Sequence, residues 1–245
     1  MKQDTPLGSR IVEVHNGSSL FTGKAGQGPS NLRQYIIEQD LLEAIVALPE
    51  KMFYNTGIGT YLWVLSNKKS AQRKGKVQLI DATTMKAPLR KNLGEKNGEV
   101  NAALRKKILD LYLAFDKADP EYSKVFENHK FGYWQVTMQQ PKRDENGKIL
   151  LDKKGNPVID KERSGDTEII PFTYEGGIDA FIQNEVHPYA PDAFVKPGSE
   201  KVGYELSFTK YFYKPVQLRT LDEIAADIRA IEKETDGLLD EIIGG

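Results

Sequence analysis

Two short, fully apolar runs with an aromatic loop between them constrain this chain more than any other feature. Ala44–Leu48 (AIVAL) is ended by Pro49, and Tyr61–Leu65 (YLWVL) is ended by Ser66-Asn67. An unbroken apolar run of this length, stopped by a residue with no N–H to give a ladder, is a strand buried on both faces. Such strands belong to an α/β layered core. The connection holds Met52, Phe53 and Tyr54, then Asn55-Thr56-Gly57-Ile58-Gly59. The two glycines permit positive φ or close backbone approach. Large rings in a loop either plug the end of the sheet or line a ligand pocket there, and an α/β sheet end is where pockets form.

The segments before this core read as strand, glycine-rich loop and helix. Ile11–His15 is a strand. Gly17 to Pro29 is a loop, and Ser30 is placed to cap a helix to about Gln39 with Leu32, Tyr35, Ile36 and Ile37 on its apolar face. With the Ala44 strand this makes a βαβ unit, whose strands should run parallel. The glycines match neither GxGxxG nor GxxxxGK[ST], so a mobile loop over a pocket is preferred to a phosphate cradle. After Asn67 come a basic turn, a strand over Val77–Ile80, and Asp81, which fits a turn cap better than a catalytic carboxylate. Pro88–Gly98 has no periodicity and reads as a loop. Leu104, Ile108, Leu111 and Phe115 mark a helix over Asn101–Phe115. From Phe131 the pattern is β: a strand over Tyr133–Met138, a polar hairpin around Asp152–Asn156, a short helix over Asp179–Val186, and an aromatic strand over Gly203–Tyr213. Thr220 and Glu223 form a capping box. Leu221, Ile224, Ile228, Ile231, Leu238 and Ile242 then space out a heptad seam, suited to contact with another subunit more than to folding back.

Charge is unevenly spread. The net value is −1, yet Lys68 to Lys107 holds 12 Lys/Arg against 3 Asp/Glu, and Pro215 to Gly245 holds 3 against 8. That asymmetry points to different partners for different faces. There are no cysteines, so disulfides and thiolate metal sites are excluded. The reducing cytoplasm is the expected location, with no membrane span. His15, His129 and His187 lack metal-ligand spacing, and no nucleophile motif is present, so no metal and no catalytic residue is assigned.

The stretches GSRIVEVHNGSSLFTG, LLEAIVALPEKMFYNTGIGTYLWVLSN, GKVQLIDA and LRKNLG resemble the modification subunit of type I restriction–modification systems, an adenine-specific (N6) DNA methyltransferase family using S-adenosylmethionine. FGYWQVTMQQP and KVGYELSFTKYFYKP resemble that subunit's C-terminal region. The resemblance implies an α/β fold: the C-terminal half of a Rossmann-like methyltransferase sheet, then a small α+β region and a C-terminal amphipathic helix. The corresponding domains are 1–82 on the target-base side, 83–219 with a basic helix and exposed hairpin, and 220–245 for subunit contact. The family's cofactor glycine motif and Asn-Pro-Pro-aromatic motif are not found, so this piece is expected to be inactive alone and to bind no S-adenosylmethionine. An alternative is a non-catalytic DNA or protein interaction module built on the same half-domain.

By the same resemblance Phe53, with Tyr54 beside it, stacks on the extruded adenine, while His15, Asn16, Gly17, Asn55 and Gly57 form the pocket loop. Lys68, Lys69, Arg73, Lys74, Arg105 and Lys106 are expected to meet DNA phosphates. The implied partners are DNA, a specificity subunit, the restriction subunit and the missing N-terminal half of the same subunit.

Overall fold

The structure, a computed structural model, describes residues 1–2, 4–213 and 220–243, except the side chains of 234 and 236–243. It is mixed α/β and divides into two units, 1–212 and 213–245.

The first unit is built on a five-stranded sheet of β1 (Arg10–Asn16), β2 (Leu42–Leu48), β3 (Thr60–Ser66), β4 (Lys76–Asp81) and β7 (Ser123–Glu127), in the order β1-β3-β2-β4-β7. β2 and β4 are parallel, and the other neighbours are antiparallel. β1 and β2 therefore run the same way, as a βαβ unit requires. They are not neighbours, because β3 is inserted between them. Pro49 ends β2 at Leu48, since a proline can neither donate to β3 nor continue the ladder.

Both sheet faces are covered near the middle. On one face lie α1 (Gly28–Glu38) and α4 (Phe208–Phe212), over a core containing Ile37, Leu42, Ile45, Trp63, Leu79 and Phe208. On the other, α2 (Ala102–Ala114) sets Leu111 against Val46, Ile80 and Met85. That double cover explains the unbroken apolar run Ala44–Leu48 of β2. β1 is an edge strand, with Val12 and Val14 about half exposed.

A second sheet is centred on β8 (Gly132–Gln139), flanked by β9 (Thr167–Pro171), β10 (Phe194–Val195) and β11 (Lys201–Tyr204). α3 (Gly177–Phe181), continued by a π turn through Val186, packs on it through Ile182. The polar segment 140–160 folds as an exposed arm, in which the carboxylates of Asp144 and Asp152 accept backbone N–H groups of their own turns.

Four expectations change. Pro88–Gly98 is not a loop but part of a hairpin, β5 (Ala87–Leu93) and β6 (Lys96–Glu99), turned by Gly94 at φ +60°. Its strands lack apolar alternation, so no period marks them. The aromatic strand ends at Tyr204, because Phe208, Tyr211 and Phe212 fall at helical spacing and Ser207 accepts the Lys210 N–H at the start of α4 (3.3 Å). Ser30 does not cap α1, which begins at Gly28 with Pro29 in its first turn. Its buried hydroxyl accepts the Tyr204 N–H instead (3.1 Å). The aromatic loop takes its positive φ values at Lys51 (58°) and Asn55 (54°), not at Gly57 or Gly59.

In the second unit, α5 spans Leu221–Ile243. The Thr220 N–H donates to the Glu223 carboxylate (2.8 Å), and the Glu223 N–H returns to the Thr220 hydroxyl (3.3 Å). Leu221, Ile224, Ile228 and Ile231 are exposed. The side chains of Leu238 and Ile242 lie outside the described residues.

Candidate functional site

Strand register places three chain segments at one end of the central sheet. Asn16 pairs with Thr60, Thr60 pairs with Leu48, and Ala47 pairs with Asp81. The ends of β1, β2 and β4 and the start of β3 thus share one rim. His15–Gly17, the loop 49–59 and the turn after Asp81 all rise from it.

The loop 49–59 is anchored at its base and bare at its tip. Pro49 is fully buried. The Thr56 N–H donates to the Phe53 carbonyl (3.3 Å), closing a tight turn in which Asn55 adopts the left-handed conformation that Asn tolerates. Phe53 is 41% exposed and Tyr54 68% exposed, with Ile58 also outside. The rings do not plug the sheet. Phe53, Tyr54 and Ile58 are thus three large apolar side chains of one loop that each reach solvent.

The β5–β6 hairpin braces this loop. The Asn97 N–H donates to the Lys51 carbonyl (3.3 Å), the Lys86 ammonium donates to the Glu50 carbonyl (3.2 Å) and the Asn97 side chain (2.9 Å), and Lys51 pairs with Glu95 (3.8 Å). At the hairpin turn, a Cβ on Gly94 would collide with Asn55 Oδ1 and come within 3.2 Å of the Tyr54 ring.

Across the rim, the His15 ring lies edge-on to Trp63 (centroids 5.8 Å apart), with Nε2 3.2 Å from the Glu13 carboxylate. The Asn16 side chain accepts the Ser18 hydroxyl (2.6 Å), and Gly17 lies against Tyr61. Burial, then the charges of Asp81 and Glu50, push the Tyr61 phenol up. The Asp81 carboxylate accepts the Thr83 N–H and hydroxyl (3.0 and 2.6 Å) and is a turn cap. Among the described residues no group of three His, Cys, Asp or Glu could hold a metal ion.

The basic stretch divides. Lys69 and Arg73 are not phosphate contacts, because both side chains are buried in structural ion pairs. Lys69 donates to the Asp40 carboxylate (2.6 Å) and the Lys76 carbonyl (2.7 Å). Burial pulls the Lys69 ammonium down against the upward effect of Asp40. Arg73 sits between the rings of Tyr112 and Phe115 (4.2 and 4.3 Å), faces Glu43 (3.6 Å), and donates to Gln78 Oε1 (3.0 Å) and the Tyr112 carbonyl. Gln78 in turn donates to the Leu111 carbonyl (2.9 Å). Arg73 thus satisfies a last-turn carbonyl of α2, and Gln78 adds a second donor to the Leu111 carbonyl, which already accepts the Phe115 N–H. Burial lowers the Arg73 guanidinium, while Tyr112 and Glu43 oppose that. Lys68 and Lys74 are exposed, but they follow the far end of β3, about 20 Å of strand from the Phe53 loop. Lys68 donates to the Pro6 carbonyl. Arg105 and Lys106 are exposed on α2, bonded to the Val100 carbonyl (3.1 Å) and to Asp110 (2.7 Å).

Two grooves flank the β1 edge. The larger, about 430 Å³, runs between α2 and the sheet and is walled by Val12, Leu48, Leu62, Val64 and Ile108, with Arg10 and Arg105 its charged lining groups. The smaller, about 300 Å³, lies on the α1 face and includes Ile11, Glu13, His15, Arg33 and Trp63.

The family model described as N-6 DNA Methylase matches residues 6–133, which contain the whole rim. The chain is 34% identical over 97 residues to the type I restriction enzyme MjaIX methylase subunit of Methanocaldococcus jannaschii, covering 40% of this chain and 17% of that relative. It is 40% identical over 79 residues to the HindI methylase subunit of Haemophilus influenzae, covering 32% and 16%. The matches thus span about one sixth of these relatives' length. A solved type I methyltransferase subunit from Streptococcus thermophilus superposes with a TM-score of 0.41 at 20% identity, over 49% of this chain and 23% of that one.

Proposed function

The chain belongs to the N-6 DNA methylase family, and on that premise we propose that it is the target-base side of an adenine-N6 DNA methyltransferase subunit from a type I restriction–modification system. The exposed rings of Phe53 and Tyr54 on the braced sheet-end loop carry this reading. An enzyme that acts on a base inside a duplex must extrude it, at a cost of a few kcal/mol. A ring of the right exposure returns about 1–3 kcal/mol per stacked base. Phe53 and Tyr54 supply that face, and Asn55, Gly57 and His15–Gly17 surround it. Arg105 and Lys106 meet phosphates. Lys68 and Lys74, at the far end of β3, are left out of this reading.

S-adenosylmethionine supplies the methyl group in such an enzyme. The described residues do not fit it. A sulfonium with a ribose diol calls for carboxylates and polar partners, whereas the larger groove is apolar and its charged lining residues are two arginines. In the smaller groove, Glu13 is already paired with His15. The half-sheet is instead completed at β1. That strand leaves Val12 and Val14 about half exposed on one face, and among the described residues no strand pairs with its outer edge. A strand from the rest of the subunit pairs there and fills the grooves. α5 carries its exposed Leu221, Ile224, Ile228 and Ile231 to a specificity subunit, with the restriction subunit joining the same assembly.

Calorimetric titration of the 245-residue chain with S-adenosylmethionine tests the division of labour. No heat of binding is expected, and tight binding would overturn it. Deleting 220–245 should abolish assembly with the specificity subunit while leaving the circular dichroism of 1–212 in place, and undiminished assembly refutes that contact.

A further inference from the structure

We infer that the β5–β6 hairpin is the phosphate-gripping side of the base-holding site, with Arg90 and Lys91 as its contacts. This rests on the base-stacking reading of Phe53 and adds two phosphate contacts to the Arg105 and Lys106 of that reading.

The hairpin has no core of its own. Most of its side chains are exposed, and Gly98 is its buried residue. An isolated two-stranded ribbon is marginally stable in water, so its position depends on its tethers. Those tethers run to the aromatic loop: to the carbonyls of Glu50 and Lys51, to the Lys51 ammonium, and to the Tyr54–Asn55 surface at Gly94. The loop and the hairpin therefore hold one another and move as one piece.

The tethers also leave a particular charge free. Glu95 is engaged by Lys51, and Lys86 by Asn97 and Glu50, so these charges are internal to the brace. Arg90 and Lys91 are exposed and take part in no ion pair among the described residues. Each strand residue advances about 3.3 Å, so Arg90 lies about 13 Å of strand from the Gly94 turn that touches Tyr54. That equals about four base-pair steps along B-DNA. A base stacked on the rings and a phosphate up to about four nucleotides along the strand fall within a single span of the hairpin. Lys68–Lys76, denser in charge, sits at the wrong end of β3 for the same strand of DNA.

The test is fluorescence-anisotropy titration of the whole 245-residue chain with a 12-nucleotide single strand of mixed sequence, from 50 to 300 mM NaCl. Arg90→Gln with Lys91→Gln is compared with Lys68→Gln plus Lys74→Gln, with Phe53→Ala and with the wild type. All are first checked for native circular dichroism. Removing two phosphate contacts lowers the slope of log K against log salt by about 1.4 on single strands, with roughly 25-fold weaker binding at 0.1 M salt. The Lys68/Lys74 pair should match the wild type, and Phe53→Ala should weaken binding at unchanged slope. An unchanged slope for the hairpin pair overturns the inference, and leaves base stacking standing if Phe53→Ala still weakens binding. A lowered slope with no effect of Phe53→Ala keeps the hairpin contact and refutes stacking. Absence of binding by the wild type refutes both.

Discussion

Arg73 offers a sharp choice between a surface cation and a buried one, and Arg73→Met decides it. In the basic stretch it looks like any phosphate ligand, yet its side chain is 6% exposed. The substitution keeps an apolar stem of similar length between Tyr112 and Phe115. It removes the hydrogen bonds to Gln78 Oε1 and the Tyr112 carbonyl, and leaves buried Glu43 with Arg10 as its remaining arginine. Hydrogen bonds from a charged donor contribute about 1.5–3 kcal/mol each. A guanidinium held between two rings adds about 0.5–2 kcal/mol, part of which methionine retains through its own contacts. Removing one partner of a buried pair costs about 3–5 kcal/mol in comparable cases, and the loss here should fall in that range. With a urea m-value of about 3 kcal/mol/M, the unfolding midpoint drops by about 1–1.7 M. Lys106→Met, which breaks an exposed pair with Asp110, should change stability by less than about 0.5 kcal/mol. An Arg73→Met loss below about 1 kcal/mol, with weakened DNA binding instead, would refute the burial argument.

Two further outcomes follow from buried titratable groups. Burial pushes the Asp40 carboxyl up, but hydrogen bonds from Lys69, the Gly75 N–H and Asn128 together hold it below its ordinary 3.8. Its stabilisation is therefore complete above that pH and is lost as pH falls through the lower folded value. Asp40→Asn should abolish that part of the acid limb and cost about 3 kcal/mol at neutral pH by stranding Lys69, as read by urea melts at pH 3–7. Burial, then the charge of Glu38 and a hydrogen bond with it, pushes the Tyr204 phenol up to about 12. The folded state thus gains stability below pH 10 that is lost as pH rises toward 12. An ultraviolet titration should show a late phenolate phase whose amplitude Tyr204→Phe reduces.

Elements whose residues repeat a burial pattern were legible in the sequence. β2 and β3 announce themselves through unbroken apolar runs, and α2 through Leu104, Ile108 and Leu111. The β5–β6 hairpin was not legible, because a strand pair held by tethers to a neighbouring loop needs no apolar alternation. The strand and helix either side of Ser207 share one aromatic composition, and tyrosine and phenylalanine suit both, so the sequence does not separate them. The rim itself was partly foreseeable: Phe53 and Tyr54 in a loop are conspicuous, and both prove exposed. The basic stretch is divided by the geometry of the sheet. Lys68 and Arg90 are 22 residues apart in a single cationic run, but β4 carries the chain from one end of the sheet to the other between them. Sequence proximity carries charge density, not which end of a sheet the charge occupies.

The base-holding site requires a ring that meets a base. A single-stranded oligonucleotide carrying one 2-aminopurine, titrated with the chain, reads that contact directly, because stacking on an aromatic side chain quenches the probe. Quenching by the wild type that disappears in folded Phe53→Ala is the predicted result. Equal fluorescence of the bound probe in both proteins would contradict it.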